Sequence, residues 1–137
     1  MKERYVHRHI LQILVGVCFL TGLLFLLVGC GMGSVFDGSR VSNASEFQME
    51  YFVLNREETA ELELKAGDRL EVTLSHTKGY VDVTVGLCGK DPIYRGNGQE
   101  NAGFVLEIAE TGNYHISVSG HQAKGNVSFT RIPGGQE

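Results

Sequence analysis

The stretch KAGDRLEVTLSH (Lys65–His76), followed closely by YVDVTV (Tyr80–Val85), decides the fold. Leu70, Val72 and Leu74 alternate with Arg69, Glu71, Thr73 and Ser75. Val81, Val83 and Val85 then alternate with Asp82 and Thr84. Successive side chains of an extended chain point to opposite faces, so this period of two predicts half-buried strands with one face turned to a core. Ala66-Gly67-Asp68 before the first run and Lys78-Gly79 between the two supply residues suited to turns.

The same period extends outward from Glu46 to Ile132. Phe47, Met49 and Tyr51 alternate with Gln48 and Glu50, and Leu62 and Leu64 with Glu61, Glu63 and Lys65. Phe104, Leu106 and Ile108 follow the rule, with Val105 an exposed exception. Tyr114, Ile116 and Val118 follow it, as do Val127 and Phe129. Gly96-Asn97-Gly98, Thr111-Gly112-Asn113 and Lys124-Gly125-Asn126 punctuate the runs. No segment after residue 30 carries a helical stripe. Seven or eight short strands with such turns predict an all-β chain, a small antiparallel β-sandwich of jelly-roll type. The absence of Trp and the 18 Gly suit short strands and tight turns.

Ahead of this domain, Lys2, Arg4 and Arg8 stand against Glu3 in a polar head, and Ile10–Val28 carries no charge. A positive head, an apolar run and small residues at its exit describe an export signal. The run is also long enough to span a bilayer as a retained helix, and either reading places the rest of the chain outside the cytoplasm. The run ends in Leu27-Val28-Gly29-Cys30, which resembles the lipobox of bacterial lipoproteins. The resemblance implies cleavage after Gly29 and a lipid on Cys30, carrying fatty-acyl chains such as palmitate. Residues 1–29 are then a lipoprotein signal peptide, 30–45 a lipidated Gly/Ser-rich tether, 46–132 the sandwich and 133–137 a disordered tail. The mature chain has nine Lys and Arg against fifteen Asp and Glu, a net charge of −6. That balance argues against a nucleic-acid partner.

The runs Lys65–His76, Tyr80–Val85, Ile93–Asn97 and Glu110–Phe129 together resemble the small β-sandwich of bacterial pre-peptidase C-terminal modules. The shared marks are a Gly-Asp turn before a strand and a Gly-x-Tyr opening a late strand, here Gly112-Asn113-Tyr114. The resemblance implies a non-catalytic accessory domain. Physically, Gly112 is expected to take a left-handed turn conformation, and Tyr114 to enter the core with its hydroxyl on a backbone partner.

Candidate chemistry is sparse. His76, His115 and His121 lack the close spacing of zinc ligands, and no Asp-x-Asp-x-Asp-Gly loop suggests calcium, so no metal and no cofactor is expected. No Gly-x-Ser-x-Gly elbow is present, and Glu57-Glu58 reads as a solvated charge cluster at a turn. A hydrolase would need His76 or His115 to meet a serine and an acid across a cleft. Cys88 has no partner for a disulfide and is expected to be a small buried hydrophobe. Tyr80, Tyr94 and His121 could form a ligand-binding surface with the loop Gly96–Gly103. The leading reading is a membrane-anchored, non-catalytic lipoprotein on the extracytoplasmic side, joined to the membrane by the lipid on Cys30 and working through an envelope protein partner. The alternative is a lipoprotein that binds envelope glycan or a small molecule.

Overall fold

The computed structural model describes residues 6–15, 33–98 and 100–135. Residues 6–15 are helical and belong to a unit separate from the domain that begins at Ser34. Among the described residues no helix is long and apolar enough to cross a membrane. The end of the apolar run, Cys18 and Leu27-Val28-Gly29-Cys30 lie outside them.

Seven antiparallel strands build the domain: β1 Phe36–Ser42, β2 Glu46–Leu54, β3 Glu57–Leu64, β4 Arg69–Leu87, β5 Tyr94–Gly98, β6 Ala102–Glu107 and β7 Gly112–Ile132. The two halves expected from the alternation are not separate sheets. The expected strands at Leu70–Leu74 and Val81–Val85 are one 19-residue strand, and those at Tyr114–Val118 and Val127–Phe129 are one 21-residue strand. β4 and β7 pair along nearly their whole length, from Arg69–Ile132 to Leu87–Tyr114. The first part of β4 carries β6 on its other edge and the last part carries β5. β7 likewise holds β3 on its first part and β2, then β1, on its second.

The continuous sheet folds across itself where these two strands lose register, around His76–Tyr80 and Gly120–Gly125. Gly79 at φ 65° and Gly125 at φ 156° occupy backbone conformations that a side chain resists. A Cβ on Gly125 would fall 2.0 Å from the Ser75 carbonyl oxygen, and one on Gly79 would fall 2.4 Å from that of His121. Close approach of the two backbones, as much as the glycine conformations, therefore makes the bend.

Folding the sheet brings its alternate apolar residues into one buried cluster. Phe47, Met49 and Tyr51 of β2 and Leu70, Val72 and Leu74 of β4 come from one half. Leu62 and Leu64 of β3, Val81, Val83 and Val85 of β4 and Ile116 and Val118 of β7 come from the other. Each such side chain contributes on the order of 1.5–3 kcal/mol on leaving water. Tyr114 is buried among them and donates its hydroxyl to the Glu110 carbonyl at 2.8 Å, as its position predicted. Gly112 is not left-handed. A Cβ there would meet only the tip of the Leu87 side chain, Cδ1 at 2.5 Å, which a change of Leu87 rotamer can relieve.

Three further expectations need correction. Residues 36–42, placed in the tether, form β1, although all but Phe36 are exposed. β1 is held by backbone pairing to β2 and by Arg40, so no apolar alternation marks it. Glu58 is not part of a solvated cluster. It is 6% exposed and faces inward between Arg40 Nη1 at 2.7 Å and Arg56 Nη2 at 2.5 Å. Arg40 also donates to the Thr59 carbonyl, so it clips β1 of one half to β3 of the other. Finally, residues 133–135 do not trail free. Gly134 N–H donates to Asp68 Oδ1 at 3.0 Å, and Arg131 Nε to Asp68 Oδ2 at 2.6 Å.

The domain thus has two distinct ends. The bend end carries the chain entry at Phe36, which pairs with Leu54, together with the β2–β3 connection at Asn55-Arg56 and the β5–β6 connection. The opposite end carries the β1–β2, β3–β4, β4–β5 and β6–β7 connections and the C-terminal residues.

Candidate functional site at the bend end

The register shifts on either side of Lys78 set Tyr80 directly opposite His121 and Lys78 opposite Lys124. The Tyr80 and His121 rings stack with centroids 4.3 Å apart and planes 13° from parallel. The Asp82 carboxylate lies 2.8 Å from His121 Nε2. His121 is a strand residue fixed by a ring on one side and a carboxylate on the other. Gln122, the next residue, is the only described non-glycine residue with positive φ, at 49°. Its N–H donates to Asn55 Oδ1 at 3.3 Å, which helps to hold a conformation that costs energy outside glycine.

Tyr94 does not join this group. It pairs with Val85, lies over Gly96, and packs against Phe104 with centroids 4.7 Å apart, on the flank of the core. The expected trio is thus a pair plus a packing residue. Tyr94 lies opposite the inward-facing Val85, whereas Tyr80 has the parity of Asp82 and Thr84 on β4, so the two rings belong to opposite faces of the sheet.

The remaining histidines do not converge. His115 is exposed on the outer face, opposite Glu61 and Gly86. His76 points inward at the end of the core, and neither ring nitrogen finds a hydrogen-bond partner among the described residues. Tyr51 lies in the same cross-strand row, separated from His76 by Gly125, and its hydroxyl is equally without a partner. Burial pushes the Tyr51 phenol up to about 12. Among the described residues no three His, Cys, Asp or Glu gather as metal ligands. The Asp82 carboxylate and the Tyr80 ring together orient the His121 imidazole. Cys88, expected inside, is exposed in the connection after β4. That connection belongs to the surface because Leu87 is the last residue of the strand pairing.

A feature not read from the sequence adjoins the pair. Phe52 is 62% exposed, its chain neighbour Val53 39%, and Val35, at the chain entry to β1, 43%. Val35 is held there by its carbonyl, which accepts from Asn55 N–H at 2.8 Å. Lys124 Nζ sits 5.6 Å from the Phe52 ring centroid, and the Arg56 guanidinium 5.4 Å from that of Phe36. Period two alone would bury Tyr51 and Val53; the register irregularity between Tyr51 and Leu54 instead buries Tyr51 and Leu54 and leaves both Phe52 and Val53 exposed. Elsewhere, a shallow depression of about 350 Å³ lies on the outer side of β1 and β2, lined by Ser39, Val41, Gln48, Met49, Glu50 and Asn126.

No family model matches the chain, and no curated protein matches it. The likeness to pre-peptidase C-terminal modules therefore rests on pattern alone. Among solved structures the chain is similar to PliG of Aeromonas hydrophila, described as a periplasmic inhibitor of g-type lysozyme. The TM-score is 0.46 and the identity 14%, over 74% of this chain and 91% of that one.

Proposed function

We propose that this protein is a lipoprotein held on the extracytoplasmic side of a membrane through Cys30, where it binds an envelope protein without catalysing a reaction. The observation that carries the reading is Leu27-Val28-Gly29-Cys30, placed after a positive head and an uncharged apolar run. The structure is compatible with it in one respect: the folded domain starts only a few residues after Cys30, so nothing large intervenes between anchor and fold. Two or three acyl chains make such anchoring stable, where one chain is marginal.

Binding is assigned to the exposed sheet faces, where a depression of about 350 Å³ lies over β1 and β2. The outer face of the β2–β7–β4 half presents Gln48, Ser128 and Thr73 in one cross-strand row and Glu50, Asn126 and Ser75 in the next. Such broad polar faces suit a protein partner better than an enclosed small molecule.

Cys30→Ser is expected to leave the precursor uncleaved and free of incorporated radiolabelled palmitate. Processing of that variant to the wild-type mass would sink the anchoring half of the proposal. For the binding half, photo-crosslinking residues are placed at Thr73, Ser117, Glu107 and Tyr80 of the lipidated protein in its own envelope. A discrete protein adduct at one position supports binding, and no adduct at any of the four removes it. The stacked Tyr80–His121 pair favours one second reading, a glycan site at the bend end. Quenching or enhancement of tyrosine emission on adding envelope glycan fragments, lost in Tyr80→Ala, would select that reading.

A further inference from the structure

We infer that the bend end of the domain is a docking surface for the phospholipid membrane, with Phe52, Val53 and Val35 seated at the headgroup boundary. The inference rests on the proposed acylation of Cys30. Five residues separate Cys30 from Phe36, the first residue of β1. Even fully extended, that length of chain reaches only about 20 Å. β1 takes up the second half of the expected tether, so this short segment is all that separates Cys30 from the fold.

Chain entry fixes which end faces the lipid. Phe36 pairs with Leu54 at the bend end, and β1 then runs away from it to Ser42. The nine residues of β2 give the domain a length of roughly 30 Å along this direction. An anchor attached at the bend end thus holds that end at the membrane and points the opposite end outward.

The chemistry of the bend end matches that placement. Six large apolar residues among the described residues of the domain are well exposed, and three of them lie at the bend end: Phe52 and Val53 just before the end of β2, and Val35 bonded through its backbone to Asn55. The other three, Val41, Ile93 and Val105, lie on β1, in the β4–β5 connection and on β6, apart from the corner. Lys124 over Phe52 and Arg56 over Phe36 set cationic heads beside aromatic rings, and Lys78 stands opposite Lys124. Aromatic rings with basic neighbours are favoured at the boundary between headgroups and acyl chains. Acids near this end are partly engaged elsewhere: Asp82 with His121, Glu57 with Ser117, Glu58 with two arginines. Asp37, opposite Val53, remains close to the corner. Docking is therefore driven by apolar and ring contacts more than by net charge, and depends little on the fraction of anionic lipid.

The test uses the full-length, lipidated protein in a Cys88→Ser background, reconstituted into phosphatidylethanolamine–phosphatidylglycerol vesicles containing a nitroxide lipid. An environment-sensitive fluorophore is attached at Phe52→Cys or, in a second sample, at Glu107→Cys near the opposite end. The expected result is blue-shifted emission at position 52 and quenching there several-fold greater than at 107. A third sample, labelled at Val53→Cys with Phe52→Ser, is expected to lose most of that quenching. Equal quenching at 52 and 107, or undiminished quenching in the third sample, overturns the docking surface while leaving the anchor intact. Intact mass is measured first on each sample. A mature protein without acyl mass overturns the anchor and the docking surface together.

Discussion

Asp68 is the residue whose replacement tests the architecture most directly. Its side chain is only 5% exposed, yet it accepts from Lys65 N–H at 2.8 Å, Gly134 N–H at 3.0 Å and Arg131 Nε at 2.6 Å. One carboxylate thus ties the β3–β4 turn, the end of β7 and the C-terminal residues. Hydrogen bonds to a charged group are worth about 1.5–3 kcal/mol each, but their sum overstates the loss. The two amides stand at the end of the domain, and the Arg131 side chain is 22% exposed, so water can recover part of each bond. Removing one partner of a buried pair costs about 3–5 kcal/mol, and the partial exposure of Arg131 places Asp68→Ala near the lower figure. About 3 kcal/mol corresponds to a fall in Tm of roughly 12–24 °C for a domain of this size. Urea titration of Asp68→Ala against wild type, with the exposed-acid control Glu61→Gln, measures it. A loss below about 0.5 kcal/mol refutes the assignment. The pH dependence gives an independent check. Burial raises the Asp68 pKa, but the bonds from Gly134, Lys65 and Arg131, with the charge of Arg131, outweigh it and hold the carboxyl below its ordinary value. Its stabilising contribution is therefore complete above the ordinary carboxylate range and is lost as pH falls through the lowered folded value. Wild type should lose stability through that acid window more steeply than Asp68→Asn.

Other perturbations follow from the same packing. Tyr114→Ala is expected to cost about 3–5 kcal/mol, and Tyr114→Phe, which loses only the bond to Glu110, about 1 kcal/mol; thermal melts separate the two. Tyr51→Phe removes a buried hydroxyl that has no partner among the described residues and is expected to stabilise by about 1 kcal/mol in urea titration. In wild type the Tyr51 contribution is present below pH about 10 and lost as pH rises toward about 12, since only the unfolded phenol ionises readily in that interval. The same substitution should flatten that alkaline decline. Gly125→Ala combines a glycine conformation with a backbone clash and is expected to cost at least about 3 kcal/mol, read as soluble yield and Tm.

Alternation made the core legible, because Leu70, Val72, Leu74, Val81, Val83 and Val85 face inward as period two requires. It could not show that the runs on either side of Lys78-Gly79 are one strand, because a turn and a sharp bend use the same residues. It missed β1, which buries almost nothing and is held by backbone bonds. Glu58 was misread for a related reason: the two arginines that neutralise it are 18 residues before it and two residues before it, and only folding brings them together. At the candidate site, folding stacks Tyr80 on His121, and Tyr94 was not separable from them without the register of β5. The exposed corner at Phe52 went unremarked because an apolar run reads as core until the bend fixes its faces.

The passage of β4 and β7 through both halves has a consequence for how the domain comes apart. Their partners are separated by 27 residues at Leu87–Tyr114 and by 63 at Arg69–Ile132. Neither half holds a central pair of its own, so loss of the pairing in one half withdraws the scaffold of the other. The amides of Val83, Val85, Val118, Val72 and Phe129 should therefore exchange with solvent deuterium only by global opening, at one shared free energy, while β1 exchanges through local fraying. Contacts so distant in sequence also make folding slow for a chain of this length, so the unpaired edges of β4 and β7 stay exposed through a long interval before the sheet closes.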